Sequence, residues 1–115
     1  MILELPFPPK ELSPNARLHW TAKARAVKKY RADCYLLAKM AKIKIDWEGD
    51  IHLFVNFYPP IKRRYDLDNL AARMKAGMDG IADALVVNDV RFRQHPFLHD
   101  EVVKGGKVFV TICRE

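Results

Sequence analysis

The segment Ile51–Tyr58 constrains this chain more than any other. Ile51, Leu53, Val55 and Phe57 share one face of an extended backbone, and His52, Phe54, Asn56 and Tyr58 share the other. Apolar residues on both faces predict a central strand rather than an edge. Pro59-Pro60 ends it, because proline has no N–H to give to the ladder.

The remaining elements are read against that strand. Met1–Phe7 predicts a short strand stopped by Pro8-Pro9, and Lys10–His19 a loop around the turn signal Ser13-Pro14-Asn15. From Trp20 to Ile43 the period becomes helical, with Val27, Tyr30, Cys34, Leu37 and Ala41 on one stripe. A second helix is expected from Leu67–Asn69 onward, with Leu70, Met74, Met78, Ile81 and Leu85 buried. Gly77 and Gly80 each weaken it by roughly 1 kcal/mol relative to alanine, so close packing or a bend is expected there. Val90–His95 predicts a strand stopped at Pro96, and Lys107–Cys113 a last strand behind the turn Gly105-Gly106. The order β-α-β-α-β-β predicts an α+β (mixed α/β) fold. It has a sheet of about four strands, two main helices and a single domain over residues 1–115.

Composition narrows the partners. The chain has 115 residues, half of them apolar and 30% charged, which excludes a disordered or collagen-like polymer. No apolar run approaches the ~20 residues of a membrane span, and the first residues lack a signal peptide's basic and apolar regions. Cys34 and Cys113 show no metal or disulfide spacing and predict reduced thiols in a cytoplasmic protein. Twenty Lys and Arg against fourteen Asp and Glu give +6, which points to a polyanion.

That charge is uneven. Residues 1–45 carry ten basic and three acidic groups, residues 46–89 five and eight, and residues 90–115 five and three. Arg25, Lys28, Lys29, Arg31, Lys39 and Lys42 surround the outer face of the first helix with only Asp33 against them. A solvated surface and a phosphate-facing surface both fit, and the excess of one sign favours phosphate. A protein that merely coats phosphates has little use for an acidic middle, whereas a nuclease needs carboxylates for a divalent metal.

The chemistry concentrates in Arg63-Arg64-Tyr65-Asp66-Leu67-Asp68-Asn69-Leu70. Asp66 and Asp68, one residue apart at a strand-to-helix junction, offer hard oxygen ligands suited to Mg²⁺. The competing reading makes one of them a helix cap. Lys62, Arg63 and Arg64 just before them add phosphate binders. Asp89, at the start of the following strand, is expected back beside Asp66 and Asp68 if that strand lies next to the central one.

Together these residues resemble the RusA family of Holliday junction resolvases, small dimeric endonucleases often carried by prophages. The resemblance runs through Pro6–Pro9, Asn15, Arg17, His19-Trp20 and the Lys/Tyr/Arg-rich helix. It continues through Asp66-Leu67-Asp68-Asn69-Leu70, Asp89 and Lys104-Gly105-Gly106-Lys107. It implies a homodimeric endodeoxyribonuclease that resolves four-way DNA junctions in recombination and repair. Asp66, Asp68 and Asp89 would be its catalytic metal ligands, with Mg²⁺ as cofactor and Mn²⁺ as substitute. Metal-activated water would attack phosphorus in line. Lys62, Arg63, Arg64, Arg17, His19, Lys28 and Lys29 are the expected DNA contacts, which position the backbone without reading bases. A bacterial or phage-encoded protein at the nucleoid, with no membrane partner, is the corresponding location.

The family also carries a lysine four residues after the second aspartate, where this chain has Ala72. Lys75 lies on the same helix face with its Cα about 10 Å from that of Asp68. Lys75 as a catalytic group, Lys75 as the plain i,i+4 partner of Asp79, Arg73 as a replacement, and loss of the function all remain open. Two further readings stand beside the resolvase: a nuclease for flaps or plain duplex, and a basic DNA-binding module without catalysis. Trp20, with His19, fits a DNA contact or an anchor of the first helix, and a tryptophan is more often core. His52 is expected to be satisfied on its strand, and His95 and His99 to lie in a loop.

Overall fold

In a computed structural model, which describes residues 1–115, Ile51–Tyr58 forms strand β2. Its odd positions are buried and its even positions half-buried, as the two-faced pattern predicts. On one side it pairs antiparallel with β4 (Lys107–Cys113), and on the other parallel with β3 (Phe92–Leu98). β1 (Ile2–Pro6) pairs antiparallel with β4, so the strand order is β1-β4-β2-β3. The helices are α1 (Trp20–Met40), α2 (Leu67–Arg73) and α3 (Lys75–Leu85). The molecule is one α+β domain with a mixed four-stranded sheet, and no helix is long and apolar enough to cross a membrane.

The core lies between the sheet and the helices. Leu3, Leu5, Leu53, Val55, Phe57, Val108, Val110 and Ile112 meet Tyr30, Cys34 and Ala38 of α1 and Met78 and Ile81 of α3. The opposite sheet face carries His52, Phe54, Asn56 and Tyr58 of β2 with no helix over them.

α1 and α3 touch more closely than ordinary side chains permit. A Cβ on Gly80 would run into the Arg31 carbonyl oxygen, and one on Gly77 would stand 2.8 Å from the Tyr30 ring and 3.1 Å from Cys34 Sγ. The expected close packing is therefore real, and it moves the buried stripe of α1. Tyr30, Cys34 and Ala38 face the glycines, while Val27 is 37% exposed and Ala41 lies outside the helix. The Tyr30 hydroxyl donates to the Pro6 carbonyl at 2.7 Å and ties α1 to the end of β1.

Several expectations need correction. The second helix is two helices, because Met74 takes a non-ideal turn (φ −82°, ψ −7°) that ends α2 and starts α3. α1 ends at Met40, and Lys42 turns left-handed at φ 54°. Pro96 does not stop β3. The strand is at the sheet edge, where a missing N–H on the outer side costs no ladder bond. The turn before β4 is present, with the Gly106 N–H donating to the Val103 carbonyl at 2.7 Å, and it does not join β3 to β4 as a hairpin because those strands are not neighbours. Instead Gly106, at φ 72°, presses against Phe7, whose Cβ lies 2.7 Å from where a glycine side chain would begin. Trp20 is 73% exposed rather than core.

Both cysteines are free, and burial pushes the Cys34 thiol up from 9.0 to about 12. Burial likewise raises the Tyr30 phenol. Groups raised on folding stabilise fully below their unfolded values, and that contribution is lost as pH climbs through the folded ones. Urea midpoints are therefore expected to hold up to about pH 9 and to fall from there toward pH 12. Gly80→Ala is expected to lower stability by ~2–3 kcal/mol in urea denaturation through overpacking against the α1 backbone.

Candidate functional site

The loop after β2 carries Lys62, Arg63 and Arg64, all exposed. Arg63 lies over the Tyr65 ring at 4.8 Å, and Tyr65 packs edge-on against Phe7. This anchors the basic segment at the start of α2. Asp66 is the cap of that helix, its Oδ1 accepting from the Asp68 N–H at 2.9 Å and the Asn69 N–H at 3.3 Å. Two of the free N–H groups at the start of α2 are thus taken by Asp66 itself. Asp68 is exposed and belongs to none of the five ion pairs in the molecule. Asn69 donates from its amide to Ser13 Oγ at 2.8 Å, which fastens the Lys10–Leu18 segment to α2.

Asp89 is elsewhere. It opens a short 3₁₀ turn, Asp89–Arg91, that leads into β3. β3 does lie beside β2, but the two are parallel and Phe92 pairs with Ile51. Asp89 therefore sits where β2 begins, and Asp66 and Asp68 follow the end where β2 finishes. The 7 and 11 residues of α2 and α3 run between them, about 27 Å of helix at 1.5 Å per residue. Asp89 instead borders a cleft with Arg31, Asp79 and Asp83. Within the chain no group of three His, Cys, Asp or Glu comes together as a metal site. A strand next to β2 does not by that alone bring Asp89 back beside Asp66 and Asp68, because adjacency says nothing of direction.

Lys75 stands 3.8 Å from Asp79 in an exposed i,i+4 pair, the plain alternative. Ala72 is exposed and brings no cation. Arg73 points inward. It is 8% exposed, and its Nη2 donates to the Pro8 carbonyl at 2.6 Å. Burial lowers its basicity from the usual guanidinium value.

Of the expected DNA contacts, Arg17 and Arg63 line one cavity with Ser13 and Asn69. Lys10 and Arg73 line it too, and sequence reading passed over them as DNA contacts because they are 63 positions apart with no shared motif. His19 caps α1, its Nδ1 meeting the Thr21 N–H at 3.3 Å and the Thr21 hydroxyl at 2.7 Å. Lys29 pairs with Asp33 at 2.8 Å, and Lys28 is exposed and in no ion pair. His95 is in β3, not a loop, and its ring meets His52 at 2.9 Å on the helix-free face of the sheet. His99 follows β3 and meets Asn56 there at 2.8 Å.

The two aspartates should separate in stability. Asp66→Ala removes a cap and is expected to cost ~1 kcal/mol in thermal or urea unfolding. Asp68→Ala, with no partner to lose, is expected to stay within ~0.5 kcal/mol of the parent.

No family model matches the chain. It is 46% identical over 113 residues to an uncharacterized protein of Xylella fastidiosa (strain Temecula1 / ATCC 700964), a match that covers 96% of this chain and 74% of that protein. The chain belongs to the same family as that bacterial protein.

Proposed function

We propose that the protein is a structure-selective endodeoxyribonuclease of the RusA type, a Mg²⁺-dependent homodimer acting on four-way DNA junctions. The observation that carries this reading is the charge arrangement beyond the end of β2. Lys10, Arg17, Arg63 and Arg73 line one cavity, Lys62 and Arg64 are exposed in the loop before α2, and none of these six cations belongs to an ion pair, while Asp68 is exposed in the first turn of that helix. Cations outside any ion pair suit a phosphate backbone, and an exposed carboxylate at the start of the same helix suits a cation brought to that backbone.

The parallel sheet adds a condition. Asp66 and Asp68 stand at one end of the molecule and Asp89 at the other, so three carboxylates can meet only when Asp89 comes from a second copy. A two-fold dimer supplies two such sets, which matches paired cuts in a symmetric junction. A DNA-binding module without catalysis is the second reading, and it is favoured by the capping role of Asp66 and the pairing of Lys75 with Asp79.

Cleavage of junction, flap and linear duplex at fixed salt tests the proposal, with parent and Asp68→Asn compared. The parent is expected to cut the junction in Mg²⁺. Asp68→Asn is expected to bind the junction within about threefold of the parent and to lose cleavage by at least 10²-fold. Equal rates on all three substrates would remove the junction assignment. A parent that binds but never cuts would leave the binding module.

A further inference from the structure

The segment Lys10–Leu18 folds back beside α2 and walls an open cavity of about 320 Å³. Lys10, Arg17, Arg63 and Arg73 bring four cationic groups to its wall, and Glu11 is the single carboxylate. Ser13 and Asn69 add a hydroxyl and an amide, already joined to each other across the cavity wall. None of the four cations takes part in an ion pair.

Arg73 is the unusual member. A residue more than nine-tenths buried carries a full charge, yet its Nε has no hydrogen-bond partner. Its guanidinium lies 5.5 Å from the centre of the Phe7 ring, and its one bond, from Nη2, goes to the Pro8 carbonyl. Burial depresses its basicity, and nearby Arg63 pushes the same way. The charge of a buried guanidinium with a second guanidinium near it is unfavourable unless an anion offsets it. The fork of a guanidinium matches two phosphate oxygens at once, which ammonium groups do not. The cavity is at the small end of the ~300–1,000 Å³ of ligand pockets, so it suits one phosphate with its sugar and not a duplex.

We propose that this cavity is a phosphate-binding site that seats one backbone phosphate of a nucleic-acid strand. Arg73 is its buried anchor, and Lys10 and Arg17 form its exposed rim. The identity of the strand rests on the function proposed above; the phosphate chemistry does not depend on cleavage. A strand fixed here by its backbone would be held within a few residues of Asp68, on the helix that Arg73 and Asp68 share.

The test titrates the full chain with inorganic phosphate, 5′-dAMP and a twelve-nucleotide single strand, followed by amide NMR and fluorescence anisotropy. The Ser13 and Asn69 signals are expected to move with all three ligands, and the oligonucleotide is expected to act at concentrations at least 10²-fold lower. Arg73→Gln removes the anchor but also a core hydrogen bond. Lys10→Ala with Arg17→Ala therefore carries the decision, because both are surface residues and the fold is expected to persist. That double variant is expected to weaken oligonucleotide binding about tenfold and to lower the salt slope by about 0.7, the loss of one phosphate contact. Arg114→Ala, at the chain terminus, is expected to change neither. Unchanged oligonucleotide affinity in the folded double variant would overturn the site, whether or not the parent cuts DNA. Saturation by inorganic phosphate at the same concentration as the oligonucleotide would overturn the strand as its source. A parent that never cuts, with binding lost in the double variant, would support the site and remove only the nuclease.

Discussion

The parallel pairing of β2 with β3 governs the rest of the molecule. Parallel strands cannot be joined by a tight turn, so the chain must travel back along the sheet before β3 can begin. α2 and α3 are that return path, and they must lie flat on the sheet while leaving room for α1 over the same face. Gly77 and Gly80 provide the room, since any side chain there would strike Tyr30 or the Arg31 backbone. The same return path fixes the chemistry. It begins at Asp66 and Asp68 and ends at Asp89, so the chain that connects the carboxylates also holds them apart.

What was legible in the sequence follows from which signals are local. β2 and β4 were readable to the residue because alternation over seven or eight positions leaves little choice of register. Pro96 misled because proline stops a central strand but not an edge strand, and edge position is a property of the whole sheet. The break at Met74 left no mark: neither proline nor glycine stands there, and Leu70, Met74, Met78 and Ile81 are buried straight through it. Trp20 broke the ordinary preference of large aromatics for the interior. The direction of β3 was the costly omission. An alternating strand reads the same either way up, so no local pattern could say which end would carry Asp89.

The candidate site divides along the same line. The cluster Lys62, Arg63, Arg64, Asp66, Asp68 and Asn69 was legible because it is contiguous. Lys10 and Arg73 were not, since they meet only when the Lys10–Leu18 segment folds onto α2 through the Ser13–Asn69 bond. Structure also gives several of the expected site residues other partners. Asp66 holds the helix start, His19 holds the start of α1, and Lys75 is occupied by Asp79. Asp68 is left without such a duty, and part of the net charge of +6 is carried by cations outside any ion pair in the Lys10–Leu18 segment, the loop after β2 and α2.

The most direct measurement mixes two inactive variants. Asp68→Asn and Asp89→Asn are each prepared alone, then unfolded and refolded together so that subunits exchange, and junction cleavage is followed in Mg²⁺. If each site takes Asp66 and Asp68 from one copy and Asp89 from the other, a mixed dimer keeps one intact site. The mixture should then regain about a quarter of the parent's strand cuts, as single nicks rather than paired ones. No recovery from the mixture, with a parent that cuts, would contradict a site shared between two copies.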